Sequence, residues 1–466
     1  MEYRDALDWL LSLPDWERGT GARPAREAVL LERPAALLDA LGNPQTRYRS
    51  VLIAGTKGKG STAALLESIL RAAGCKTGLY TSPHLHTYRE RIRVDGALIS
   101  EDEFARGVGE IRPRVEELLA ARPDFESFST FEVMTTLALN YFARVAVDIA
   151  ILEVGLGGRL DATNVVDADL SIITPISFDH TAVLGNALHK IANEKAGIIK
   201  RGKIVLSAKQ ERDASNVIAQ VAREKNATLG VGERDWLWLG GHSDFTVAAE
   251  PRVGLWRAYW RYGDLHVPLL GVHQLANAAL AVAAAQTLGE NWGLETGPEH
   301  GRRIGDAAIR TGLESTQWFG RLEILQERAA NHPLVIADGA HNGDSAEKLV
   351  AALKFHFEFE NLFLIFGALR DKDLNALLAP FKPLTAHAWT LQTPHPRSRD
   401  AQSLAQELNA HGISADAVSS MADALARAQE QASPRDLICI TGSLSVVAMA
   451  RAVFHPDQLP ADNESG

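Results

Sequence analysis

The sequence predicts an α/β protein with two domains. At 466 residues the chain is too long for one ordinary core. Short runs of Val, Ile and Leu alternate with helical stretches, the pattern of a doubly wound sheet. A segment rich in aromatic residues interrupts this alternation. We therefore expect a larger N-terminal domain, with a parallel sheet and a small antiparallel side sheet, and a smaller Rossmann-like C-terminal domain.

The strands predicted for the N-terminal domain are nearly continuous in apolar residues, which is typical of strands buried on both faces of a parallel sheet. They are VLIAG (51–55), TGLYTS (77–82), VDIAILEVG (147–155), LSIITPIS (170–177) and KIVLSA (203–208). Helical patterns such as AALLESILRAAG separate them. Between 232 and 270, the runs WLWLG, FTVAAE, LWRAYWRYG and LHVPLLG predict the side sheet.

A second set of apolar runs predicts the strands of the C-terminal domain. They are LVIADGAHN (334–342), NLFLIFGAL (361–369), AHAWTLQTP (386–394) and DLICITGSL (436–444). The stretch LESTQWFG between the two sets is the predicted hinge, at residues 313–320. It divides the chain into an N-terminal domain, 1–312, and a C-terminal domain, 321–466.

Charge and composition argue against several classes of protein. The formal net charge is −10 and the pI is near 5.9, whereas general nucleic-acid binding needs a basic face. No apolar run approaches the ~18 residues of a membrane span. The N-terminus MEYRDALDWLLSL lacks a signal-peptide pattern, so we expect a cytoplasmic protein. Cys75 and Cys439 lie in apolar contexts and are expected to be buried thiols.

The stretch IAGTKGKGST (53–62) has the layout of a phosphate-binding loop between a strand and a helix. Gly55, Gly58 and Gly60 let the backbone turn its N–H groups toward an anion, and Lys59 adds a positive charge. The hydroxyl of Ser61 comes one place later than in the pattern G-x-x-x-x-G-K-[ST]. These residues favour a phosphate site, and the alternative is a glycine-rich turn with a solvated lysine.

Two further strand ends carry candidate metal ligands. Glu153 ends a buried strand, where a nucleotide enzyme places a carboxylate that holds Mg²⁺, although a helix cap or a surface acid fits as well. His180, in SFDH, is either a structural histidine or an unusual partner of Glu153 in a magnesium site. By composition, Lys190, Lys195 and Lys200 form a solvated helix face. The GLGG that follows Glu153 lacks the full dinucleotide-binding spacing.

A series of motifs follows in order from about residue 30 to about residue 446. They are IAGTKGKGST, LYTSPHLHTYRERIRVDGALIS, STFEVMTTLALNYFA, ILEVGLGGRLDATNVVDAD, SFDHTAVLG, IANEKAGIIK, GVHQLANAALA, WFGRLE, DGAHN, DKD and TGSL. Together they resemble the folylpolyglutamate synthase and dihydrofolate synthase family, within the ATP-dependent Mur ligase superfamily. The resemblance implies an N-terminal P-loop ATPase domain whose loop, GTxGKGS, commonly has Gly60 before Ser61.

The resemblance also implies the binding residues. Magnesium would be held by Ser82, Glu153 and His180, with a carbamylated Lys195 helping to hold a second metal. Two Mg²⁺ sites and a monovalent cation are expected, and Lys190 and Lys200 remain surface charges. ATP would contact Gly55, Thr56, Gly58, Lys59, Gly60, Ser61, Asn277, Arg321, Asp338 and His341. The catalytic groups would be Lys59, His180, Lys195 and Arg321, assembled when the two domains close.

The implied reaction is an ATP-dependent amide synthesis. A carboxylate of a pterin-bearing substrate attacks the γ-phosphorus of ATP, and the amino group of L-glutamate then displaces phosphate from the acyl phosphate. The expected substrates are dihydropteroate, reduced folates and L-glutamate, and the expected state is a monomer. The alternatives are a UDP-muramyl amino-acid ligase of cell-wall synthesis and a regulatory protein that hydrolyses nucleotide.

Two positions depart from the common pattern of the family. Lys57 stands where Asn is usual in the phosphate loop, and we expect its side chain to point to solvent rather than to bind phosphate. Phe319 stands where Pro is commoner, and we expect it to loosen the hinge slightly.

Overall fold

The computed structural model describes residues 1–15, 18, 29–292 and 304–459. The chain groups into two compact units of mixed helices and strands. The first unit comprises Met1–His84, Tyr88–Pro268 and Gln274–Thr316, and the second comprises Leu85–Thr87, Leu269–His273 and Gln317–Gly466.

The described residues of the first unit form a large sheet, a small sheet and surrounding helices. Its strands are β1 (Arg49–Ala54), β2 (Thr77–Tyr80), β3 (Ile92–Val94), β4 (Ala97–Leu98), β5 (Ile149–Glu153), β6 (Leu170–Ile173), β7 (Ile204–Ser207), β8 (Thr228–Val231), β9 (Trp236–Gly241), β10 (Asp244–Ala249) and β11 (Trp260–His266). Its helices are α1 (Tyr3–Leu11), α2 (Val29–Ala40), α3 (Lys59–Ala72), α4 (Glu101–Ala121), α5 (Thr130–Arg144), α6 (Thr181–Leu184), α7 (Leu188–Ala196), α8 (Arg212–Glu224), α9 (Val272–Trp292, which begins in the second unit) and α10 (Asp306–Glu314).

The large sheet has the order β4-β3-β2-β5-β1-β6-β7-β8. The six strands from β2 to β8 in this order pair in parallel, and β3 and β4 add an antiparallel edge. Strand β1 lies between β5 and β6, with Ile53 opposite Glu153 and Ala54 opposite Ile173. The carboxyl ends of these three strands therefore lie level, which is where ligands bind in open α/β sheets.

The central strands of the large sheet are buried because their side chains are apolar. Every residue of β5 is buried, and so is every residue of β1 after Arg49. Helix α5 begins with a capping box, in which Ser129 and Glu132 each bond the other's backbone N–H.

The predicted central strands and the side sheet, β9 to β11, are confirmed. The sequence analysis missed β3, β4 and β8, whose runs of two to four residues are too short to show a periodicity.

The second unit is a six-stranded sheet with helices. Its strands are β12 (Glu323–Gln326), β13 (Leu334–Ala337), β14 (Leu362–Phe366), β15 (Thr385–Thr390), β16 (Ala415–Ala417) and β17 (Leu437–Thr441), and its helices are α11 (Gly343–His356), α12 (Leu374–Leu378), α13 (Ala401–Ala410), α14 (Met421–Gln431) and α15 (Leu444–Phe454). The order is β12-β13-β17-β14-β15-β16, parallel except for β12. The predicted α/β fold class is confirmed.

The expectation for the two cysteines is confirmed. Cys75 and Cys439 are free and buried, as predicted. Burial raises the pKa of the Cys439 thiol, which keeps it protonated and unreactive. Among the helices that the structure describes, none combines the length and the apolar character that crossing a membrane requires.

Candidate active site

The phosphate loop, residues 55–60, runs from the end of β1 into α3. Gly58 precedes the helix with φ +83°, a left-handed conformation that favours glycine. A Cβ on Gly58 would lie 2.5 Å from Oδ1 of Asn277, and a Cβ on Gly55 would lie 1.8 Å from Oγ1 of Thr174. The first-turn N–H groups of a helix have no intrahelical acceptor, so the start of α3 offers donors to an anion.

Gly58→Ala is expected to destabilise the protein and to weaken nucleotide binding. Left-handed backbone costs a non-glycine residue about 1–2 kcal/mol, and the methyl group would also displace Asn277. Thermal unfolding and titration with ADP measure the two effects. Gly202→Ala is the matched control, because Gly202 has φ +69° but open space around its Cβ position. Equal losses in the two variants would show that the Asn277 contact is unimportant.

Glu153, at the end of β5, faces the phosphate loop. Its Oε1 is 3.9 Å from Nζ of Lys59, and its Oε2 accepts a hydrogen bond of 3.1 Å from the backbone N–H of Ser82. The carboxylate is buried, with Glu153 only 5% exposed. The structure thus brings together three of the predicted site residues, Lys59, Ser82 and Glu153.

Lys195, on the last turn of α7, is buried beside the phosphate loop. It is 5% exposed, and its Nζ donates a hydrogen bond of 2.7 Å to the carbonyl oxygen of Gly55. Burial lowers the pKa of Lys195 to about 7, and the positive charge of Lys59 lowers it further while Asp179 and Asp161 oppose the change. Composition alone suggested a solvated lysine, and that interpretation is wrong for Lys195.

The GLGG segment after Glu153 supports the helix that carries Lys195. Gly158 packs on α7 so closely that a Cβ would lie 2.8 Å from the carbonyl oxygen of Glu194. The next residue, Arg159, donates its backbone N–H to the same carbonyl at 2.7 Å and its Nε to the Glu194 carboxylate at 2.9 Å. Gly158 therefore serves close packing between the β5 loop and α7.

The segment Thr174–His180, which we call the DH loop, follows β6 and lies against the phosphate loop. Oδ2 of Asp179 pairs with Nζ of Lys57 at 3.1 Å, and Oδ1 accepts a hydrogen bond of 3.0 Å from the backbone N–H of His180. The His180 ring is half exposed, with Nε2 3.9 Å from Oδ1 of Asp179. His180 thus lies on a loop that contacts the phosphate loop.

Two expectations about lysines are wrong. Lys57 does not point to solvent, because its side chain is 19% exposed and pairs with Asp179. Lys200 is not a surface charge, because Nζ donates to the carbonyl oxygen and to Oδ1 of Asn164, at 2.9 and 2.8 Å. Burial lowers the pKa of Lys200 to about 8. Lys190 is exposed, as predicted.

In the second unit, Arg321, Asp338 and His341 lie on neighbouring loops. Asp338 accepts backbone hydrogen bonds from Leu322, at 2.8 Å, and from Ala340, at 2.9 Å. These bonds hold the backbone on both sides, including the left-handed Leu322. Nδ1 of His341 lies 2.8 Å from the carbonyl oxygen of Gly339, so Nδ1 carries the proton of this hydrogen bond.

Arg321 and Phe319 are both held by neighbours within the second unit. Arg321 packs on Gly339, where a Cβ would lie 2.9 Å from Nη1 of the guanidinium. The ring of Phe319 lies 3.8 Å from the guanidinium carbon of Arg451, which also pairs with Glu323. Cation–π contacts of this kind are attractive. Phe319 therefore anchors its segment, and the expectation that it loosens the chain is not supported.

The buried carboxylate of Glu153 fits a magnesium–nucleotide complex. Mg²⁺ usually takes one or two protein carboxylates and completes its shell with water and phosphate oxygens. In the part of the chain that the structure describes, no three His, Cys, Asp or Glu side chains form a group that could hold a metal.

The sequence analysis missed two carboxylates of this site. Asp179 joins the two loops, and Asp161, which is 6% exposed, accepts hydrogen bonds from the backbone N–H groups of Leu156 and Thr163 at 2.9 and 3.0 Å. Both act on the charge of Lys195. Both carboxylates lie in recognisable motifs, SFDH and GGRLD, which are the sequence signal for them.

Two domain families match the chain. The Mur ligase middle domain matches residues 116–285, and the Mur ligase, glutamate ligase domain matches residues 320–444. A Bacillus subtilis protein named dihydrofolate synthase/folylpolyglutamate synthase is 34% identical over 452 residues, covering 96% of this chain and 98% of the relative. A Haloferax volcanii protein named "Probable bifunctional folylpolyglutamate synthase/dihydropteroate synthase" is 34% identical over 463 residues. The match covers 97% of this chain but only 51% of that longer relative.

Solved structures resemble the chain over most of its length. The Escherichia coli protein FolC, in complex with DHPP and ADP, superposes with a TM-score of 0.82 at 32% identity. That match covers 98% of this chain and 99% of the E. coli chain. The family indicated by the motifs is confirmed: the chain belongs to the folylpolyglutamate synthase/dihydrofolate synthase family of the Mur ligase superfamily.

Proposed function

We propose that the protein is an ATP-dependent ligase that joins L-glutamate to reduced folates, and to dihydropteroate, through an acyl phosphate. The observation that carries this proposal is the grouping of Lys59, Glu153 and Lys195 around a glycine-rich phosphate loop, in a chain with a glutamate ligase domain. Such a group of residues would bind and polarise phosphate. It suits a reaction in which the substrate carboxylate itself attacks ATP.

The residues of the phosphate loop would perform the binding steps. The first-turn N–H groups of α3 and Nζ of Lys59 would neutralise the phosphates as charge develops on them. Thr56 and Ser61 would contact the same phosphates. Asn277, whose Nδ2 donates to Gln274 at 3.0 Å and whose Oδ1 abuts Gly58, would position the nucleotide beside the loop.

Magnesium would be held by Glu153, Ser82 and His180, and would supply charge neutralisation at the phosphates. Lys195 would carry a carbamate that helps to hold a second metal. Its burial and its pKa of about 7 support this assignment, since an uncharged amine is needed to react with CO₂. We also include a monovalent cation, on the family resemblance alone.

A coupled assay tests this function directly. The purified protein is incubated with ATP, Mg²⁺, L-glutamate and either dihydropteroate or tetrahydrofolate, and the products are identified by mass. We expect glutamylated product with both acceptors, and one ADP for each amide bond. Lys59→Ala supplies the inactive control. ADP release at the same rate without glutamate would contradict the ligase and favour a nucleotide hydrolase.

Arg321→Ala is expected to slow catalysis while leaving the fold intact. The guanidinium lies over Gly339 and bonds the carbonyl oxygen of Gly320 at 3.0 Å, so its removal leaves no buried charge unpaired. Loss of one positive group that stabilises phosphate is expected to lower kcat by about 100-fold. Steady-state kinetics and thermal unfolding measure the two properties. An unchanged kcat would remove Arg321 from the catalytic groups, and Arg328→Ala, in the same unit, is the matched control.

We further propose a domain division with its hinge at 313–320, a monomeric state and a cytoplasmic location. The change of compact unit between Thr316 and Gln317 supports the hinge. The free thiols of Cys75 and Cys439 are usual in a reducing compartment. Limited proteolysis tests the hinge, since cleavage within 313–320 should release two stable fragments, and sedimentation equilibrium tests the monomer.

A further inference from the structure

We propose that Lys57 is a positioning residue whose ion pair with Asp179 fastens the DH loop to the phosphate loop. The pair would prepare the loop that carries His180 before Mg²⁺ and nucleotide arrive. This inference rests on the proposed function in taking the phosphate loop as the nucleotide site and His180 as a magnesium ligand.

The geometry of the pair distinguishes it from an ordinary surface contact. The Lys57 and Asp179 side chains are 19% and 12% exposed, and Nζ lies 3.1 Å from Oδ2. Water screens such a pair less than it screens a fully exposed one.

Backbone bonds bring the two loops together at the same place. The N–H groups of Thr56 and Lys57 both donate to the carbonyl oxygen of Pro175, at 3.0 and 3.3 Å. The Thr56 hydroxyl donates to the carbonyl oxygen of Ser177 at 3.0 Å and accepts from the Ser177 N–H at 3.1 Å. These bonds involve Pro175 and Ser177, so the Lys57 pair extends the attachment to Asp179, next to His180.

Asp179 links the ion pair with Lys57 to the backbone of His180. While Oδ2 pairs with Lys57, Oδ1 accepts the backbone N–H of His180 at 3.0 Å. His180 has φ +48°, a left-handed conformation that a histidine keeps only when its surroundings hold it. The ion pair restrains the carboxylate that makes this bond, so Lys57 acts on His180 through Asp179.

The proposal separates a positioning role from a direct effect of charge on phosphate. A lysine that contacts phosphate would strengthen ADP binding with or without metal. A lysine that positions His180 would increase the gain in ADP affinity that Mg²⁺ provides. It would also restrain the DH loop in the absence of ligand. Asp179→Asn would reproduce the second effect while keeping the charge of Lys57.

The experiment compares Lys57→Asn, Asp179→Asn and the double variant with the parent protein. Amide hydrogen exchange over residues 174–184 is measured without ligand, and ADP binding is measured by calorimetry in Mg²⁺ and in EDTA. We expect each single variant to exchange faster in this segment and to lose about fivefold in the Mg²⁺-dependent part of the affinity. The double variant should lose no more than the single variants, because both remove the same interaction.

Two control variants complete the test. Lys57→Arg keeps the ion pair and should retain slow exchange, and Lys190→Asn removes an exposed lysine of the same unit and should change neither property. Parent-like exchange in Lys57→Asn, or losses that multiply in the double variant, would overturn the proposal. If the parent binds Mg²⁺–ADP but forms no amide with either acceptor, the proposed ligase fails while these binding measurements still decide the role of Lys57.

Discussion

Lys59→Ala is expected to lose at least ~100-fold in kcat/KM, the scale of removing one preorganised group that stabilises transition-state charge. Its ammonium group follows the loop glycines at the start of α3 and lies 3.9 Å from the Glu153 carboxylate. Without it, the phosphate loop loses a positive charge that would stabilise the developing negative charge on the transferred phosphoryl group, while the Glu153 carboxylate stays buried. Steady-state kinetics with ATP as the varied substrate measure the loss.

The interpretation of Lys59→Ala depends on a folded variant. Thermal unfolding should be close to that of the parent protein, because Lys59 is the first residue of α3 and lies outside the apolar core. Lys190→Ala, an exposed change in the same unit, should leave kcat/KM unaffected. Near-normal activity of Lys59→Ala would show that the phosphate loop is not the ATP site.

Lys195→Arg is expected to lose most activity although it conserves the positive charge. Arginine stays protonated and should not form a carbamate. The site must also accommodate the longer, planar guanidinium group at the place where Nζ of Lys195 bonds the carbonyl oxygen of Gly55 at 2.7 Å. Lys195→Ala should be inactive too, and a small carboxylic acid such as formate should restore part of its activity by replacing the carbamate. A fully active Lys195→Arg protein would refute the carbamate.

The carbamate of Lys195 should depend on pH in a defined direction. The lone pair of Nζ attacks the carbon of CO₂, and the nitrogen loses a proton to leave an anionic carbamate. Below its pKa of about 7 the amine is protonated and has no lone pair to give. At a fixed concentration of CO₂, the carbamate signal from ¹³C-labelled CO₂ should therefore rise between pH 6 and pH 8 in NMR spectra.

Lys200 is the matched control for the carbamate measurements. Its pKa is also lowered by burial, to about 8, but its Nζ is held by two oxygen atoms of Asn164. Lys200→Arg should keep both the carbamate signal and the activity. If the carbamate signal were lost in Lys200→Arg and retained in Lys195→Arg, the carbamate would be on Lys200 and not on Lys195.

The central strands could be predicted because each is an unbroken apolar run. Val51 to Ala54 and Ile149 to Leu152 are buried, and their sequence shows no polar alternation. The edge strands could not be predicted, since β4 has two residues and β12 reads EILQ, which fits several structures. Edge strands are specified by their partners more than by their own composition.

The grouping of Lys59 and Glu153 could be predicted, because both residues follow buried strands that end at the same edge of the sheet. The partners of the other lysines could not be predicted in this way. By contrast, whether a lysine is buried depends on the loops that cover it. Composition therefore predicted the wrong environment for Lys195 and Lys200. The Lys57–Asp179 pair joins residues far apart in the sequence, and only the adjacency of β1 and β6 brings them together.

The contact between Gly58 and Asn277 constrains how the phosphate loop can change during evolution. A smaller residue at 277 would make room for a methyl group at 58, so substitutions at the two positions should be epistatic. A smaller residue at 277 is not sufficient, since the left-handed backbone of Gly58 penalises a side chain even where space exists. Substitution at 277 alone would not release position 58 from glycine, and we expect Gly58 and Asn277 to be conserved together.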